Sequence, residues 1–232
     1  MATIPSTIGD QMITKIYEGY EEKENDDSTV YLGRLGSSFI GEECIRKIWF
    51  DWRGFNREGF QGRILRLFGT GHWQEDQPHI LEIKTHNKSS FNGVLKHGVL
   101  KNKPQHYSQV QISMKLSGLT ASLYVAVCKD DERFYIERIE ADTKHQDQLL
   151  KKVKSLYSAT MRPAGISDDA GSFGCKFCSM KDVCVRESEP LRNCRTCVMA
   201  RPDPDGKWLC QLHHHNLDAE AQRAGCEEYI AL

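Results

Sequence analysis

The tripeptide Glu82-Ile83-Lys84 carries a carboxylate and an ammonium group two residues apart. The surrounding segment, residues 79–85, alternates apolar and polar residues in its second half, which predicts a β-strand. Side chains two residues apart on a strand point to the same face. Such a pair suits metal-dependent hydrolysis of a phosphodiester, because the carboxylate can hold Mg²⁺ or Mn²⁺ while the lysine orients water and offsets the phosphate charge. A solvated ion pair on the strand is the alternative.

The segment after Glu82 is locally basic, since no aspartate or glutamate occurs between Glu82 and Asp130. The whole chain has a formal net charge of -1, which excludes a globally basic nucleic-acid binder but not a local basic channel. This window predicts a surface that faces phosphates, and an ordinary basic face balanced elsewhere is the alternative. Its cationic and histidine side chains include Lys84, Lys88, Lys96, Lys101, Lys103, Lys115, His86, His97 and His106.

Cysteine is abundant, with nine residues, and seven of them lie at or after residue 175. The N-terminal residues show no basic-then-apolar secretion signal, and apolar runs such as residues 122–128 are far shorter than the roughly 20 residues of a membrane helix. The sequence therefore predicts a cytoplasmic protein without a membrane segment. In a reducing compartment, clustered cysteines bind metal or iron–sulfur clusters more often than they form disulfides.

The last cysteines have the spacing of a zinc site. Cys194-x2-Cys197 is followed by Cys210, and a C-x2-C pair facing a later cysteine is typical of zinc knuckles. Either His213 or Cys226 completes the set, and Cys226 is favoured because a Gly-Cys turn presents a thiolate well. The remaining Cys128 is expected to pack in the core of a strand.

Several elements must position these side chains. Pro104 begins a predicted helix that ends at Gly118. Residues 119–131 predict a buried strand, and residues 133–142 a second strand that completes a hairpin. Residues 143–161 predict an amphipathic helix. Upstream, two segments have helical spacing of apolar residues, namely Ile45, Ile48 and Trp49 in the first and Ile64, Leu67 and Phe68 in the second.

The E-x-K strand followed by a Gln-bearing helix and an apolar strand resembles PD-(D/E)XK nucleases of the lambda-exonuclease and RecB-like kind. In those enzymes a glutamine on the helix lies near the E-x-K strand, and Gln109 matches it by position, although the usual tyrosine four residues on is Ser113 here. The segment 71–75 resembles the RecB-type helix whose histidine, His72 here, binds the metal. The resemblance implies an α/β fold, a restriction-endonuclease-like mixed sheet flanked by helices, with a small Cys-rich metal-binding C-terminal region.

One early cysteine, Cys44, combined with a late C-x2-C-x5-C triplet is similar to the iron–sulfur staple of AddB-type and CRISPR-adaptation nucleases. The resemblance implies a 4Fe–4S cluster held by four thiolates, which would tie the chain ends together. A zinc site with the same ligands is the alternative. The resulting division is a nuclease-like domain at 1–190 and a zinc-binding tail at 191–232. The cluster ligands would be Cys44, Cys175, Cys178 and Cys184.

The sequence departs from the PD-(D/E)XK pattern at one catalytic position. The signature has an acidic residue on the strand before E-x-K, which shares the metal with the glutamate. Only six residues separate Glu75 from Glu82. If His72 lies on a helix, six residues leave no room for the strand that should carry this acid, and this strand is predicted to be missing from the sequence. Asp76 or Glu75 is the available substitute.

The sequence therefore predicts a metal-dependent DNA nuclease, exonuclease-like and of phage or recombination and repair type, which is either impaired by the missing acid or uses a nonstandard one. Mg²⁺ or Mn²⁺, Zn²⁺ and a 4Fe–4S cluster are the expected cofactors, and DNA and other recombination or replication proteins are the expected partners. The alternatives are a nucleic-acid-binding iron–sulfur and zinc module without cleavage activity and a redox regulator that senses through the cluster. The predicted catalytic residues are Glu82, Lys84, Gln109, His72 and Asp76.

Overall fold

A computed structural model describes residues 36–55, 69–72, 78–185, 188–203 and 206–232, with the backbone alone for 69–72. These residues belong to one compact unit, residues 32–232. The described helices are α1 Ser37–Ile40, α2 Ile45–Arg53, α3 Lys88–Asn102, α4 Pro104–Ser117, α5 Thr143–Ser158, α6 Phe173–Lys176, α7 Lys181–Cys184 and α8 Ala219–Ala224. The described strands are β1 Gly69–His72, β2 Pro78–His86, β3 Ala121–Cys128, β4 Phe134–Glu140, β5 Ala200–Pro202, β6 Trp208–Cys210 and β7 His215–Leu217.

The fold is mixed α/β, with two small sheets flanked by helices. The larger sheet has the order β1-β2-β3-β4 and the smaller one the order β5-β6-β7. Strands β2 and β3 run parallel, with Glu82 opposite Tyr124, whereas β1 and β4 join antiparallel at either side. The parallel pair is connected by α3 and α4, as parallel strands require a crossover. The second, antiparallel sheet lies in the Cys-rich C-terminal region.

Two apolar clusters form the core, and α4 contributes to both. Val110 and Met114 of α4 pack with β2, β3 and α3. Cys128 is also fully buried in this cluster, which confirms its predicted packing role. Ile112 of α4 belongs to the second cluster, which contains α2, α5 and apolar residues of the C-terminal region. The Cys-rich region therefore shares a core with α2, and the division at residue 190 stays a prediction.

The C-terminal end of α2 is bonded directly to the turn at Cys194–Thr196. Arg53 Nη1 donates a hydrogen bond of 2.6 Å to the carbonyl oxygen of Arg195, and Arg195 Nη1 donates one of 3.0 Å to the carbonyl oxygen of Trp52. Both guanidinium groups lie over the ring of Trp208, at 5.3 and 5.0 Å from its centroid. These contacts fix the C-terminal region against α2.

Several predicted elements are confirmed. Strand β2, helix α4, the β3–β4 hairpin and helix α5 lie where the sequence predicts them. Pro104 occupies the first turn of α4, and Gly118 ends it in a left-handed conformation with φ 75°. Asp142 caps α5 by accepting a hydrogen bond from the backbone N–H of His145.

Two expectations are wrong. The segment around His72 is not a helix, because Gly69–His72 forms strand β1 and pairs antiparallel with the start of β2. The strand before E-x-K is therefore present, not missing. The locally basic segment after β2, for which the sequence predicted no helix or strand, is helix α3, capped by the Asn87 side chain. The predicted helical face of Ile64, Leu67 and Phe68 lies outside the described residues.

Over the residues that the structure describes, no helix is long and apolar enough to cross a membrane.

Candidate active site and metal-binding cysteines

Glu82, Lys84 and Gln109 form one closed cluster of contacts. Lys84 Nζ lies 2.7 Å from Glu82 Oε1 and donates a hydrogen bond of 3.1 Å to Gln109 Oε1. Gln109 Nε2 donates to both carboxylate oxygens of Glu82, at 3.0 and 3.1 Å. The three side chains that the E-x-K motif and the helix position predicted together are thus in direct contact. Each one fixes the orientation of the other two.

The local structure explains this convergence. Glu82 and Lys84 share one face of β2 because strand side chains alternate, and α4 covers that face. Helix α4 is fixed in turn by buried Gln111, whose Oε1 accepts from the Asp142 backbone N–H at 2.8 Å and whose Nε2 donates to the Glu140 carbonyl oxygen at 2.7 Å. Gln109 is therefore held above the E-x-K pair by its helix and not by its own contacts alone.

The cluster is buried, and its charges act on neighbouring groups. Glu82 is 5% exposed and Gln109 is 4% exposed. Burial raises the pKa of Tyr124, and the nearby Glu82 carboxylate raises it further. Burial lowers the pKa of His106 to about 3, and the ammonium group of Lys84 contributes to this shift. His106 is therefore neutral at neutral pH.

The described part of the site contains a single carboxylate at the cluster. Among the residues that the structure describes, no group of three or more His, Cys, Asp or Glu ligand atoms includes Glu82. Strand β1, Gly-Thr-Gly-His, carries no acid, and His72 lies opposite Pro78, four positions before Glu82. At about 3.3 Å per residue this is roughly 13 Å along the strand between backbone positions. Asp76 and Glu75 lie outside the described residues.

Sequence analysis missed a polar network beside the cluster. Tyr124 Oη lies 2.7 Å from His106 Nδ1 and 3.1 Å from His86 Nε2. His86 follows Lys84 by two residues on β2, and His106 precedes Gln109 by three residues, one helical turn, on α4. Both spacings are visible in the sequence, but the joining Tyr124 belongs to β3, so only the fold reveals the contact.

The first cysteine set gathers at the N-terminal end of α2. Cys44 is the N-cap residue of that helix. Burial raises the pKa of Cys178, and the neighbouring Cys44 and Cys175 thiolates contribute to that rise. Cys184 Sγ accepts a contact of 3.5 Å from Arg46 Nη1. The four predicted residues of this set thus lie in one region, although they come from distant parts of the chain.

Cationic side chains surround this set. Arg46 contacts Cys184, Lys47 lies within electrostatic range of Cys178, and Lys152 lies within electrostatic range of Cys44. Four thiolates that hold a metal cluster carry excess negative charge, and nearby cations offset it. The residue types suit a thiolate-bound metal centre, but among the described residues these four cysteines do not form a group whose ligand atoms lie within 4.8 Å of one another, so the cluster stays a prediction.

The second cysteine set lines a single small cavity. Cys194, Cys197, Cys210 and Cys226 all contribute to its wall, together with apolar side chains, and the enclosed volume is about 10 Å³. Burial raises the pKa of Cys194, and the other three thiolates raise it further, Cys226 most of the three. Four thiols that line one space of this size are the donor set of a tetrahedral zinc site, but among the described residues they do not form a group whose ligand atoms all lie within 4.8 Å of one another, so the zinc site stays a prediction.

Backbone N–H groups point at the sulfur atoms of this set. The N–H of Met199 donates to Cys197 Sγ and the N–H of His213 donates to Cys210 Sγ, each at 3.5 Å. Such bonds orient thiolate ligands and stabilise their charge. Cys226 also belongs to a group with His213 and Glu228, whose ligand atoms lie within 4.8 Å of one another. Cys226 therefore belongs both to the four cysteines that line the cavity and to the group with His213 and Glu228.

Comparisons of the chain with protein-family models, with curated proteins and with solved structures find no match.

Proposed function

We propose that this protein is a metal-dependent DNA nuclease of the PD-(D/E)XK type, exonuclease-like and active in phage or recombination and repair processes. The observation that carries the proposal is the closed contact among Glu82, Lys84 and Gln109 on β2 and α4. A parallel strand pair with an E-x-K face under a Gln-bearing helix is the arrangement that the resemblance implies, within a restriction-endonuclease-like fold.

Each side chain has a distinct role in this proposal. The divalent cation, Mg²⁺ or Mn²⁺, polarises the phosphate when it is bound. Glu82 would hold that cation, and Lys84 would orient the attacking water and offset the phosphate charge. Gln109 would hold Glu82 and Lys84 in a fixed relative orientation by its three hydrogen bonds. His72 is retained as an assisting ligand and Asp76 as the second acid, both as predictions.

The ammonium group of Lys84 limits metal affinity. It lies 2.7 Å from the same carboxylate that would hold the metal, so it competes electrostatically with a divalent cation. Mg²⁺ is usually held by one or two carboxylates together with water and substrate oxygens. With Glu82 as ligand, cleavage is expected to need high Mg²⁺ or to prefer Mn²⁺.

The basic window supplies the attraction for DNA. Lys88, Lys96 and Lys101 are exposed on α3, the helix that directly follows the E-x-K strand. No acid occurs between Glu82 and Asp130 in the sequence, but carboxylates from other segments lie against these helices, with Asp131 4.0 Å from Lys88 and Asp147 3.6 Å from Lys115. The attraction therefore rests mainly on Lys96 and Lys101. Binding through such contacts releases counterions and therefore weakens steeply with salt.

Both cysteine sets have structural roles in this proposal. Cys44, Cys175, Cys178 and Cys184 would hold a 4Fe–4S cluster, which joins the start of α2 to residues 175–184. Cys194, Cys197, Cys210 and either Cys226 or His213 would hold zinc and replace hydrophobic burial in the small C-terminal sheet.

A nicking assay with purified protein tests the catalytic proposal. Glu82→Ala and Lys84→Ala are each expected to abolish Mn²⁺-dependent cleavage, while DNA binding survives the first change. Glu140→Ala is the matched control, because its exposed carboxylate lies on β4 and pairs with Arg138. Cleavage that persists in Glu82→Ala would exclude this site.

A non-cleaving, nucleic-acid-binding iron–sulfur and zinc module is the second candidate. It is favoured by the absence, over the described residues, of a three-ligand group that includes Glu82. DNA binding without cleavage in the presence of any divalent metal would support it over the nuclease.

A further inference from the structure

A continuous chain of hydrogen-bonding side chains leads away from the candidate active site. His106 Nδ1 lies 2.7 Å from Tyr124 Oη, which lies 3.1 Å from His86 Nε2. The other ring nitrogen of His86, Nδ1, lies 3.1 Å from Ser90 Oγ. Each intermediate member therefore has one neighbour on either side. The chain contains four side chains from β2, α3, α4 and β3.

The chain begins at His106, within electrostatic range of Lys84, and ends at the first turn of α3. His86 continues the face of β2 that carries Glu82 and Lys84, and Tyr124 lies opposite Glu82 in the sheet register. His106 lies one helical turn before Gln109 on α4, and its ring stacks on that of His86 with centroids 5.6 Å apart. Partly exposed Ser90 lies near the capped N-terminus of α3.

The middle of the chain is shielded from solvent. Tyr124 is fully buried and His86 is 8% exposed, whereas His106 and Ser90 are partly exposed. Burial lowers the pKa of both histidines, with contributions from the ammonium groups of Lys84 and Lys103. Two neutral imidazoles and one phenol can each donate and accept a proton at the same time. The buried groups thus have the chemistry of a relay and not of an ion pair.

We infer that His106, Tyr124, His86 and Ser90 form a proton relay that carries a proton from water at the Glu82–Lys84 site to solvent at the start of α3. The inference rests on the proposed nuclease function and names the group that removes the proton of the attacking water. Lys84 then serves as an orienting cation, while His106 Nε2, the ring nitrogen opposite the one held by Tyr124, accepts the proton.

The transfer leaves every member neutral. His106 Nε2 gains a proton from water while its Nδ1 proton moves to the oxygen of Tyr124. The phenol proton moves to His86 Nε2, the His86 Nδ1 proton moves to Ser90 Oγ, and the Ser90 hydroxyl proton leaves to solvent. The water becomes the hydroxide that attacks phosphorus, and the net change is one proton delivered to solvent. As the bond from phosphorus to the departing oxygen breaks, that oxygen takes the Nε2 proton of His106. The chain then runs in reverse, with a proton from solvent entering at Ser90 Oγ, and the starting state is restored.

This mechanism predicts a correlation between two tautomers. Before transfer both histidines carry the proton on Nδ1, and after transfer both carry it on Nε2. Because Tyr124 has a single hydroxyl proton, it can donate to one ring only and must accept from the other. Mixed tautomers would interrupt the chain. The two imidazoles must therefore always show the same tautomer.

The kinetic test compares two Tyr→Phe variants in the same sheet. Tyr124→Phe interrupts the relay and keeps the buried ring, so kcat should fall by about 100-fold, the usual contribution of positioned proton transfer, while KM changes little. Tyr135→Phe is the matched control, because Tyr135 on β4 donates to Glu137 and lies outside the chain. It should leave kcat unchanged. Equal kcat in Tyr124→Phe and wild type would overturn the relay.

An activity-independent test uses nitrogen NMR of histidine-labelled protein, with signals assigned through His86→Asn and His106→Gln. The relay is supported if His86 and His106 show the same tautomer in wild type and no longer match in Tyr124→Phe. Opposite tautomers in wild type overturn it even if the protein cleaves DNA. If the protein does not cleave DNA but the tautomers match and uncouple, the coupled hydrogen-bond chain stands, while its role in removing the proton of the attacking water falls with the nuclease proposal. Should Tyr124→Phe not fold, His106→Gln, on partly exposed α4 surface, provides the kinetic comparison.

Discussion

Gln109 uses one amide nitrogen to donate hydrogen bonds to both oxygens of Glu82, at 3.0 and 3.1 Å, while its amide oxygen accepts one from Lys84. One neutral side chain thus holds an anion and a cation that already form an ion pair. The amide supplies orientation without changing the net charge of the site. The orientation of Glu82 and Lys84 and the net charge of the site can therefore be changed by separate mutations and tested independently.

Gln109→Leu removes the orientation and leaves both charges. Loss of a hydrogen-bonding partner behind a metal ligand typically costs 10–100-fold in metal affinity or activity, so the Mn²⁺ concentration needed for half-maximal cleavage should rise by about that factor. Metal titrations of the cleavage rate measure the change. Gln105→Leu, an exposed position on the same helix, is the control and should behave as wild type. An unaltered Mn²⁺ requirement in Gln109→Leu would argue against a metal on Glu82.

The first cysteine set predicts a brown protein when it is purified without oxygen. Cys178→Ser should remove the broad visible absorption and lower the melting temperature, because the cluster joins distant segments of chain. Absorption spectra and iron analysis provide the measurement. Cys128→Ala, at a buried core cysteine outside both sets, should keep the colour. A colourless, stably folded wild-type protein that contains zinc alone would refute the cluster.

The second set predicts one zinc ion that is independent of iron. Cys194→Ser should release this zinc and leave the iron content unchanged. Cys226→Ser is expected to release it as well, since Cys226 lines the same cavity as the other three thiols, whereas His213→Ala should retain it. Metal analysis of the two variants identifies the fourth ligand. Zinc retained in both would mean that neither side chain is a ligand.

Because the carboxyl of Asp51 is largely buried, we expect the free energy of unfolding to depend on pH. Burial raises the pKa of its carboxyl to about 6, and the Lys47 ammonium opposes this shift only partly. A folded-state pKa above the unfolded value means that ionisation opposes folding, so this destabilisation grows as pH rises from about 4 to about 6 and is constant above. Asp51→Asn should therefore raise the free energy of unfolding by roughly 1–3 kcal/mol in neutral buffer, with a smaller gain in acid.

Urea unfolding at pH ~5 and pH ~8 measures the Asp51 effect. Asp147→Asn on α5 is the comparison, because its exposed carboxylate pairs only loosely with Lys115, at 3.6 Å. That variant should change stability little at either pH. A gain from Asp51→Asn that is equal at both pH values would show that its charge state is not the cause.

Local sequence rules predicted the elements that carry the catalytic pair. Side chains alternate between the two faces of a strand, which placed Glu82 and Lys84 on one face. Pro104 and Gly118 gave the bounds of the helix that carries Gln109 to within one residue. Both features depend on neighbouring residues alone. The cysteine spacings likewise grouped thiols that the fold brings together.

The features that the sequence did not predict depend on tertiary context. Helix α3 buries only Phe91, Val94 and Val99 and is kinked at Gly98, with φ 73°, so its apolar residues give no recognisable helical pattern in this lysine-rich segment. The backbone at His72 pairs with β2, and this strand pairing excludes the helix that the RecB-type resemblance implied at His72. Tyr124, His86 and His106 meet only because β2 and β3 are neighbours, which no single segment encodes.

Helix α2 joins the two cysteine sets, since Cys44 caps its first turn and Arg53 at its last residue bonds to the turn at Cys194–Thr196. A protease cut or an engineered stop after residue 190 would uncover Trp52, which now packs on Trp208 at 5.1 Å between ring centroids. The shortened chain would expose aromatic surface and leave the Arg53 guanidinium without the Arg195 carbonyl oxygen, and it would aggregate during expression. Fragments of this protein that contain helix α2 should therefore be produced with the C-terminal residues attached.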